Sequence, residues 1–501
     1  MITIKQHIKR DARLNFATRL LKLYPKCRIY IVGGAVRDWL MGRPTKDVDI
    51  VVSGLPPKEL EKYLNRVGRV DYVGRVFGVY KVVPRDQSGA DPIDVALPRT
   101  EHSLHMSGGY HDFKVQSDYR LPIEQDLKRR DFTANALAWD MAAEKLIDPT
   151  GGLSDLAAKK IRAAGSPTRR FQEDYSRLLR ALRFSVQLGF DIEPATWLAL
   201  VRLMPRVNSA VVPREAVAKE LIKTLTAQPV RAFDLCERSG AFKVLLPELL
   251  KMKGCRHDPR FHLEGDVWTH TRLALEVLAS PGFKKEFPDT AQLHPELILG
   301  VLLHDVGKPY TAKSLPNGRR SFYGHEIVGS KIAGDVCQRL KLSSYQGLID
   351  CDRLCWLIQS HMVVLHGEPA KMRPTTLERY FLIPPERGQR LLQMLYADGG
   401  GSRTKNNKPA LQRYQATVRS IQRIKKTGYS HSATPKLLLD GTEIMRLIKW
   451  SPGPQVGLAL EDLRLRQLRG QVTTKDQART YLKKRHGTPH HRTRSHRAAP
   501  R

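Results

Sequence analysis

The sequence predicts an α+β protein, in which a small N-terminal α/β head is followed by segments that are helical throughout. Three observations carry this. Within residues 1–165, short β-type apolar runs are separated by Pro, Gly and Asp turn residues. From Phe171 onward, apolar residues recur at three- and four-residue spacings, as in FQEDYSRLLRALRFSVQLGF. Between the two regimes, Asp148–Gly152 (DPTGG) is the strongest break.

Taken in order, Arg28–Val32 (RIYIV) reads as a strand running into Gly33-Gly34, and Val48–Val52 as a second. Val76–Val83 and Pro92–Leu97 are further strands. The helical remainder divides by composition: residues 166–255 form a neck, 256–401 a histidine-rich block, and 402–482 a last helical part. Gly399-Gly400-Gly401-Ser402 reads as opening a basic, turn-like connection between the last two. Residues 483–501 are basic, without an acid, and read as a disordered tail.

Composition bounds the partners. The 501 residues carry 84 Lys+Arg against 50 Asp+Glu, a net charge of +34 that favours a polyanionic partner through counterion release. With 41% apolar residues the chain can bury real cores, which excludes a wholly disordered or collagen-like protein. Its longest apolar run, around Leu297–Leu303, is far short of a bilayer span, so no membrane is expected. The N-terminus is charged and lacks a signal-peptide core, and the six cysteines form no repeating framework. Free thiols and a cytoplasmic location are the expectation.

The chemistry begins at Gly33-Gly34-Ala35-Val36-Arg37-Asp38. A strand ending in two glycines lets backbone N–H groups approach a triphosphate, and Arg37 one turn into the helix adds a charged donor. Asp47 and Asp49 alternate along a predicted strand, which sends both carboxylates from one face. Two hard oxygen donors suit Mg²⁺, and paired ions can serve an in-line displacement; Asp94 is a candidate third carboxylate. In Glu173–Arg183, Asp174 and Arg177 at i, i+3 offer an acceptor beside a donor fork, an edge that complements cytosine and adenine. Arg180 and Arg183 continue the stripe, and a solvated helix face with surface ion pairs fits the same spacing.

In this order, these motifs resemble those of the class II tRNA nucleotidyltransferases, the CCA-adding enzymes, and the related bacterial poly(A) polymerases. The resemblance runs from Ile29 to Phe190, more weakly to Leu250. GGAVRD…DVD is similar to the family's metal and triphosphate motif, and LKRRDFTANALA to its ribose motif. DPTGGLSDL is similar to its hinge, and EDYSRLLRALRF to its amino-acid template for CTP and ATP. The resemblance implies a polymerase-beta-like head in which Asp47 and Asp49 are catalytic and hold Mg²⁺. It implies nucleotide binding by Gly33, Gly34, Arg37 and Arg130, ribose or strand contact by Asp131 and Asn135, base selection by Asp174 and Arg177, and phosphate proximity for Arg180 and Arg183. The tRNA 3′ end would be the acceptor. Gly74–Val82 (GRVFGVYKV) is more similar to the tRNA-specific branch than to the polymerase branch, and the stretch from Leu97 to Phe113 to the loop that switches from C to A. The basic tail fits the polymerase branch instead, so poly(A) synthesis is the alternative.

The second half holds His270, His304-Asp305, His325, His361 and Asp398, a mixed imidazole and carboxylate set suited to a divalent transition metal. Its order resembles the HD phosphohydrolases, which implies His270, His304, Asp305 and Asp398 as metal ligands and His325 and His361 as second-metal or phosphate contacts. Ni²⁺ or Mn²⁺, and 2′,3′-cyclic or 2′ phosphates, would fit the relatives. A second alternative therefore makes this hydrolase the main activity and the head an RNA clamp. Past Gly400, Leu437–Ile444 and Pro452–Gly457 resemble the family's C-terminal segment, implying contact with the tRNA elbow; Arg464, Arg466 and Arg469 equally fit a solvated helix face. The sequence leaves the oligomeric state open between monomer and dimer.

Overall fold

The apolar run RIYIV forms a strand, β1 (Arg28–Val32), whose last four residues are all buried. Such a strand needs a core on both faces. One face joins Ile29 and Ile31 to Ile50, Val52, Val82 and Val95 beneath the helices Asn15–Leu23 and Pro57–Val67. The other joins Tyr30 and Val32 to Val51, Ile123 and Leu127. This is a computed structural model, and it describes residues 4–45, 47–72, 79–103, 108, 113–208, 211–258, 263–316, 319–364, 368–403, 410–426, 437–468 and 471–486.

After β1 come α1 (Gly34–Leu40), β2 (Asp49–Ser53), β3 (Gly68–Tyr72), β4 (Val79–Pro84), β5 (Ile93–Ala96), β6 (Ala138–Asp140) and β7 (Lys145–Ile147). They make one sheet in the order β3-β4-β5-β2-β1-β6-β7, antiparallel throughout except between β2 and β5. A separate hairpin pairs Arg99–Ser103 with Phe113–Ser117. The strand of Asp49 begins one residue later than expected, because β1 ends opposite it (Val32↔Asp49) and Gly33 turns away at φ +73°. Asp47 thus precedes the strand. Residues 73–78, and residues 104–107 and 109–112 of the expected switching loop, lie outside the described residues.

The helices continue with α2 (Pro167–Glu173), α3 (Ser176–Leu188) and α4 (Arg214–Ala227). Together with residues 336–349 they complete the first of two compact units, residues 1–250; the second comprises residues 251–335 and 350–501. Its frame is α5 (Val267–Leu278), α6 (Pro295–Leu303), α7 (His325–Arg339) as far as Asp335, α8 (Cys351–Ser360) and α9 (Pro385–Gly401). The chain ends in α10 (Gly441–Ile448), α11 (Pro454–Leu468) and α12 (Lys475–His486), packed round Ile444, Leu463 and Leu482.

Several expectations change here. The glycine run at 399–401 is helical, because α9 lies so close to α5 that a Cβ on Gly401 would stand 2.8 Å from the Ala274 backbone nitrogen. Gly401→Ala should therefore lower stability by up to about 2 kcal/mol: roughly 1–3 kcal/mol of overpacking against a gain of about 1 kcal/mol in helix propensity. A chemical-denaturation curve would measure it. Residues 483–486 belong to α12, anchored by buried Leu482, and are not tail; residues 487–501 and Arg469 lie outside the described set. Arg464 is buried, its Nε donating to Glu378 Oε2 at 3.2 Å, so it is not on a solvated face. Cys337 and Cys351 are disulfide-bonded, while Cys27, Cys236, Cys255 and Cys355 are free; tertiary packing decides such bonds, and spacing does not show it.

Candidate active sites

In the first unit, one row crosses the sheet. Val32 pairs with Asp49, Asp49 with Asp94, and Asp94 with Lys81. Gly33 lies where this row meets the N-terminus of α1, its N–H donating to Leu137 O at 3.0 Å. The positive φ favours glycine there, and a Cβ would stand 2.6 Å from Arg130 Nη1, so any other residue would also displace that guanidinium. Protein packed round the Asp49 carboxyl raises its pKa, Arg130 opposes this, and the charges of Asp94 and Asp47 add to it. Lys81 Nζ holds Asp94 Oδ1 at 2.9 Å. Sequence reading missed that lysine, which is visible only once the register of β4 on β5 is known.

A second network lies behind Gly34. Arg37 is buried, and its guanidinium donates to Asp38 at 2.8 and 3.0 Å and to Asn135 Oδ1 at 2.5 Å. Asn135 donates to Asp131 Oδ1 at 3.1 Å, and Arg180 closes on Asp131 Oδ2 at 2.8 and 2.5 Å. Burial works against the Asp131 charge, but Arg180 and Asn135 outweigh it and hold the carboxyl well below its usual range. Because the folded pKa is depressed, this stabilisation is present above the unfolded value near 4 and is lost as pH falls below it. Urea unfolding between pH 3 and 7 should show a flatter acid limb for Asp131→Asn than for the wild type.

The expected single helix around Asp174 is broken. Asp174 is extended (φ −153°), between α2 and α3, with its Oδ1 accepting from Ser176 N at 2.8 Å. Its Oδ2 still lies 3.9 Å from Arg177 Nε, while Arg177 Nη1 donates to Glu173 at 2.9 Å. Arg183 does not continue an open stripe: it is buried on Glu220 of α4 at 2.5 Å. Arg37, Arg180 and Arg183 all stack on Phe184, at 5.3, 5.4 and 4.0 Å from its ring centroid. That ring was overlooked because its spacing marks it only as core.

In the second unit, the ends of the helices bring the histidine set together. His270 lies in α5, His304-Asp305 follows α6, His325 starts α7, His361 follows α8, and Asp398 lies in α9. Among the described residues, only two trios bring ligand atoms within 4.8 Å of one another: His270, His304 and Asp398, and Asp305, His325 and His361. Asp47, Asp49 and Asp94 form no such group. Asp305 reaches both trios, with Oδ2 3.2 Å from His304 Nε2 and Oδ1 3.3 Å from His325 Nε2. Burial lowers the basicity of His270, yet hydrogen bonds with Asp398 and Glu264 raise it to about 9. Burial and the adjacent His325 and His304 push His361 down to about 3.

The donor chemistry of this centre fits a divalent cation. His325 and His361 point Nδ1 at the carbonyls of Phe322 and Ile358, at 2.8 and 2.6 Å, so each turns an Nε2 lone pair inward. Those two Nε2 atoms face each other at 3.2 Å, close enough to share one proton or one cation. Asp305 Oδ1, buried beside them, has no well-aligned hydrogen bond. Sequence reading missed Lys308, 2.6 Å from Asp305 Oδ2, and His257, 3.2 Å from Lys308 Nζ.

Residues 29–162 match the Poly A polymerase head domain, residues 189–252 the probable RNA and SrmB-binding site of polymerase A, and residues 267–387 the HD domain. The chain is 35% identical over 393 residues to the multifunctional CCA protein of Halorhodospira halophila, covering 76% of this chain and 86% of that one. It is 31% identical over 465 residues to the A-adding tRNA nucleotidyltransferase of Deinococcus radiodurans, covering 91% and 94%. This chain belongs to the tRNA nucleotidyltransferase family. The fold agrees: the CCA-adding enzyme of Bacillus stearothermophilus in complex with CTP superposes with a TM-score of 0.62 at 22% identity, covering 95% of this chain and 98% of that one. The Thermotoga maritima CCA-adding enzyme complexed with tRNA gives 0.56 at 19%, covering 96% and 98%. The nucleotidyltransferase thus has a mixed α/β head, a helical remainder and an HD domain. Among the described residues, no helix is long and apolar enough to cross a membrane.

Proposed function

We propose that this nucleotidyltransferase adds or repairs the 3′-terminal CCA of tRNA from CTP and ATP, releasing pyrophosphate. The observation that supports this best is the row Gly33–Asp49–Asp94, where an open backbone turn for phosphate adjoins two acidic strands. Asp47 and Asp49, with Asp94 beside them, would hold Mg²⁺, which when bound lowers the pKa of the attacking hydroxyl and neutralises phosphate charge. The RNA 3′ oxygen forms a bond to the α-phosphorus as the bond to pyrophosphate breaks. Gly33 leaves room for the triphosphate, with Arg130 over it. Arg37, fixed by Asp38 and Asn135, keeps its charge beside that turn. Asp174 and Arg177, 3.9 Å apart and so not hydrogen-bonded through that pair of atoms, suit a base edge that carries an amine beside an acceptor. Phosphate and shape, read by a strongly basic chain, would suffice to hold the RNA.

Alongside this, the HD centre would act as a phosphodiesterase or phosphatase on 2′,3′-cyclic or 2′ phosphates, with Ni²⁺ or Mn²⁺ held by its two trios. The A-adding relative, matched over 91% of this chain, favours one other reading: addition of A alone to tRNA already ending in CC. Extension assays with Mg²⁺ separate them, using tRNA that ends at the discriminator base, tRNA that ends in CC, and an unstructured RNA. CCA added to the first and then arrest supports the proposal. Extension of only the second, by a single A, supports the A-adding reading. Unlimited A on any RNA marks a poly(A) polymerase.

A further inference from the structure

The four histidines of the HD centre are not held alike. His304, His325 and His361 each point Nδ1 at the carbonyl three residues earlier, at 2.8, 2.8 and 2.6 Å. His270 instead points Nδ1 at the Glu264 carboxylate, 3.0 Å away, and both side chains are almost wholly buried. The second oxygen of Glu264 accepts from Arg403 N at 2.8 Å, just past the helix that carries Asp398. Leu263 N in turn donates to Arg403 O at 3.1 Å, so this short segment is tied to the end of α9 from both sides. One carboxylate therefore orients His270 and anchors the turn that follows Asp398, and those are two of the three donors in one trio.

We propose that Glu264 is a positioning residue that makes the two metal positions unequal, strengthening the His270–His304–Asp398 position alone. This rests on the reading of the HD centre as a metal site. A carboxylate on Nδ1–H fixes the tautomer that presents Nε2 and makes that nitrogen a better donor; a backbone carbonyl fixes the tautomer with less charge behind it. Loss of such an outer partner costs metal affinity about 10–100-fold. A glutamine has the same shape but only one oxygen. It can accept from Nδ1–H or from Arg403 N–H, and turns its own N–H groups toward the other.

The test titrates the full-length, chelator-stripped chain with Co²⁺ alone, by calorimetry and visible absorption, for wild type and Glu264→Gln. The expected result is two unequal sites in the wild type, with the tighter one weakened about 10–100-fold in the variant and the weaker one within about threefold. Equal weakening of both sites, or none, overturns the role of Glu264 while leaving the metal reading intact. A wild type that binds no Co²⁺ overturns both. A measurement without a variant backs this up: ¹H–¹⁵N correlations of the Zn²⁺-loaded wild type should show His270 protonated at Nδ1. Protonation at Nε2 would overturn the proposal.

Discussion

Asp49→Asn is expected to reduce nucleotide addition by about three orders of magnitude, the equivalent of about 4 kcal/mol of transition-state stabilisation. Its melting temperature should not fall. The two effects part because Asp49 is an acid that the fold does not neutralise. Protein packed round it, and the charges of Asp94 and Asp47, raise its pKa against the opposing pull of Arg130. A folded-state pKa above the unfolded one means that the ionised form costs stability at neutral pH, and the amide removes that cost. Steady-state addition and a thermal melt on the same preparation check it. If activity and melting temperature fell together, Asp49 would be a structural carboxylate, and the site would have to be sought elsewhere on the sheet.

Four of the seven strands of the sheet were legible, β1 and β2 because RIYIV and VDIVV are nearly continuous apolar runs, the mark of strands covered on both faces. What a run does not show is where its partner stops. Asp47 looked like a strand residue by alternation, but β2 has no partner before Asp49 once Gly33 turns β1 away. Asp174 illustrates the same limit in a helix. The apolar period passes through it unbroken, while its short carboxylate takes the Ser176 amide and ends the regular backbone.

The histidine set was legible for a different reason. Each member lies within about one turn of a helix end, so residues far apart in sequence converge when the helices pack. Glu264, six residues before His270 and outside any helix, carries no period or motif; only the fold brings it to Nδ1. Arg183 and Arg464 show the reverse error. Arginines at helical spacing read as a surface stripe, yet each is buried on a glutamate from another element, Glu220 and Glu378.

Asp305→Asn should abolish the hydrolysis proposed for the HD centre, by at least about a thousandfold, and leave nucleotide addition within about twofold. Asp305 sends one oxygen toward each trio, at 3.2 Å from His304 Nε2 and 3.3 Å from His325 Nε2. Asparagine keeps the shape but has one oxygen and no charge, so it cannot serve two cations. The metal-free fold tolerates it. The amide oxygen can still accept from Lys308 Nζ, and the amide N–H₂ can donate to the inward lone pair of His325. Unfolding of the metal-free variant should therefore shift by no more than about 1–2 kcal/mol, as when one charged partner of a hydrogen bond becomes neutral. Phosphodiester hydrolysis with Ni²⁺ or Mn²⁺, tRNA extension with Mg²⁺ and a urea melt of one preparation decide it. If extension also collapsed while the melt held, the HD centre and the head would share a catalytic step, and the two activities could not be separated by residue.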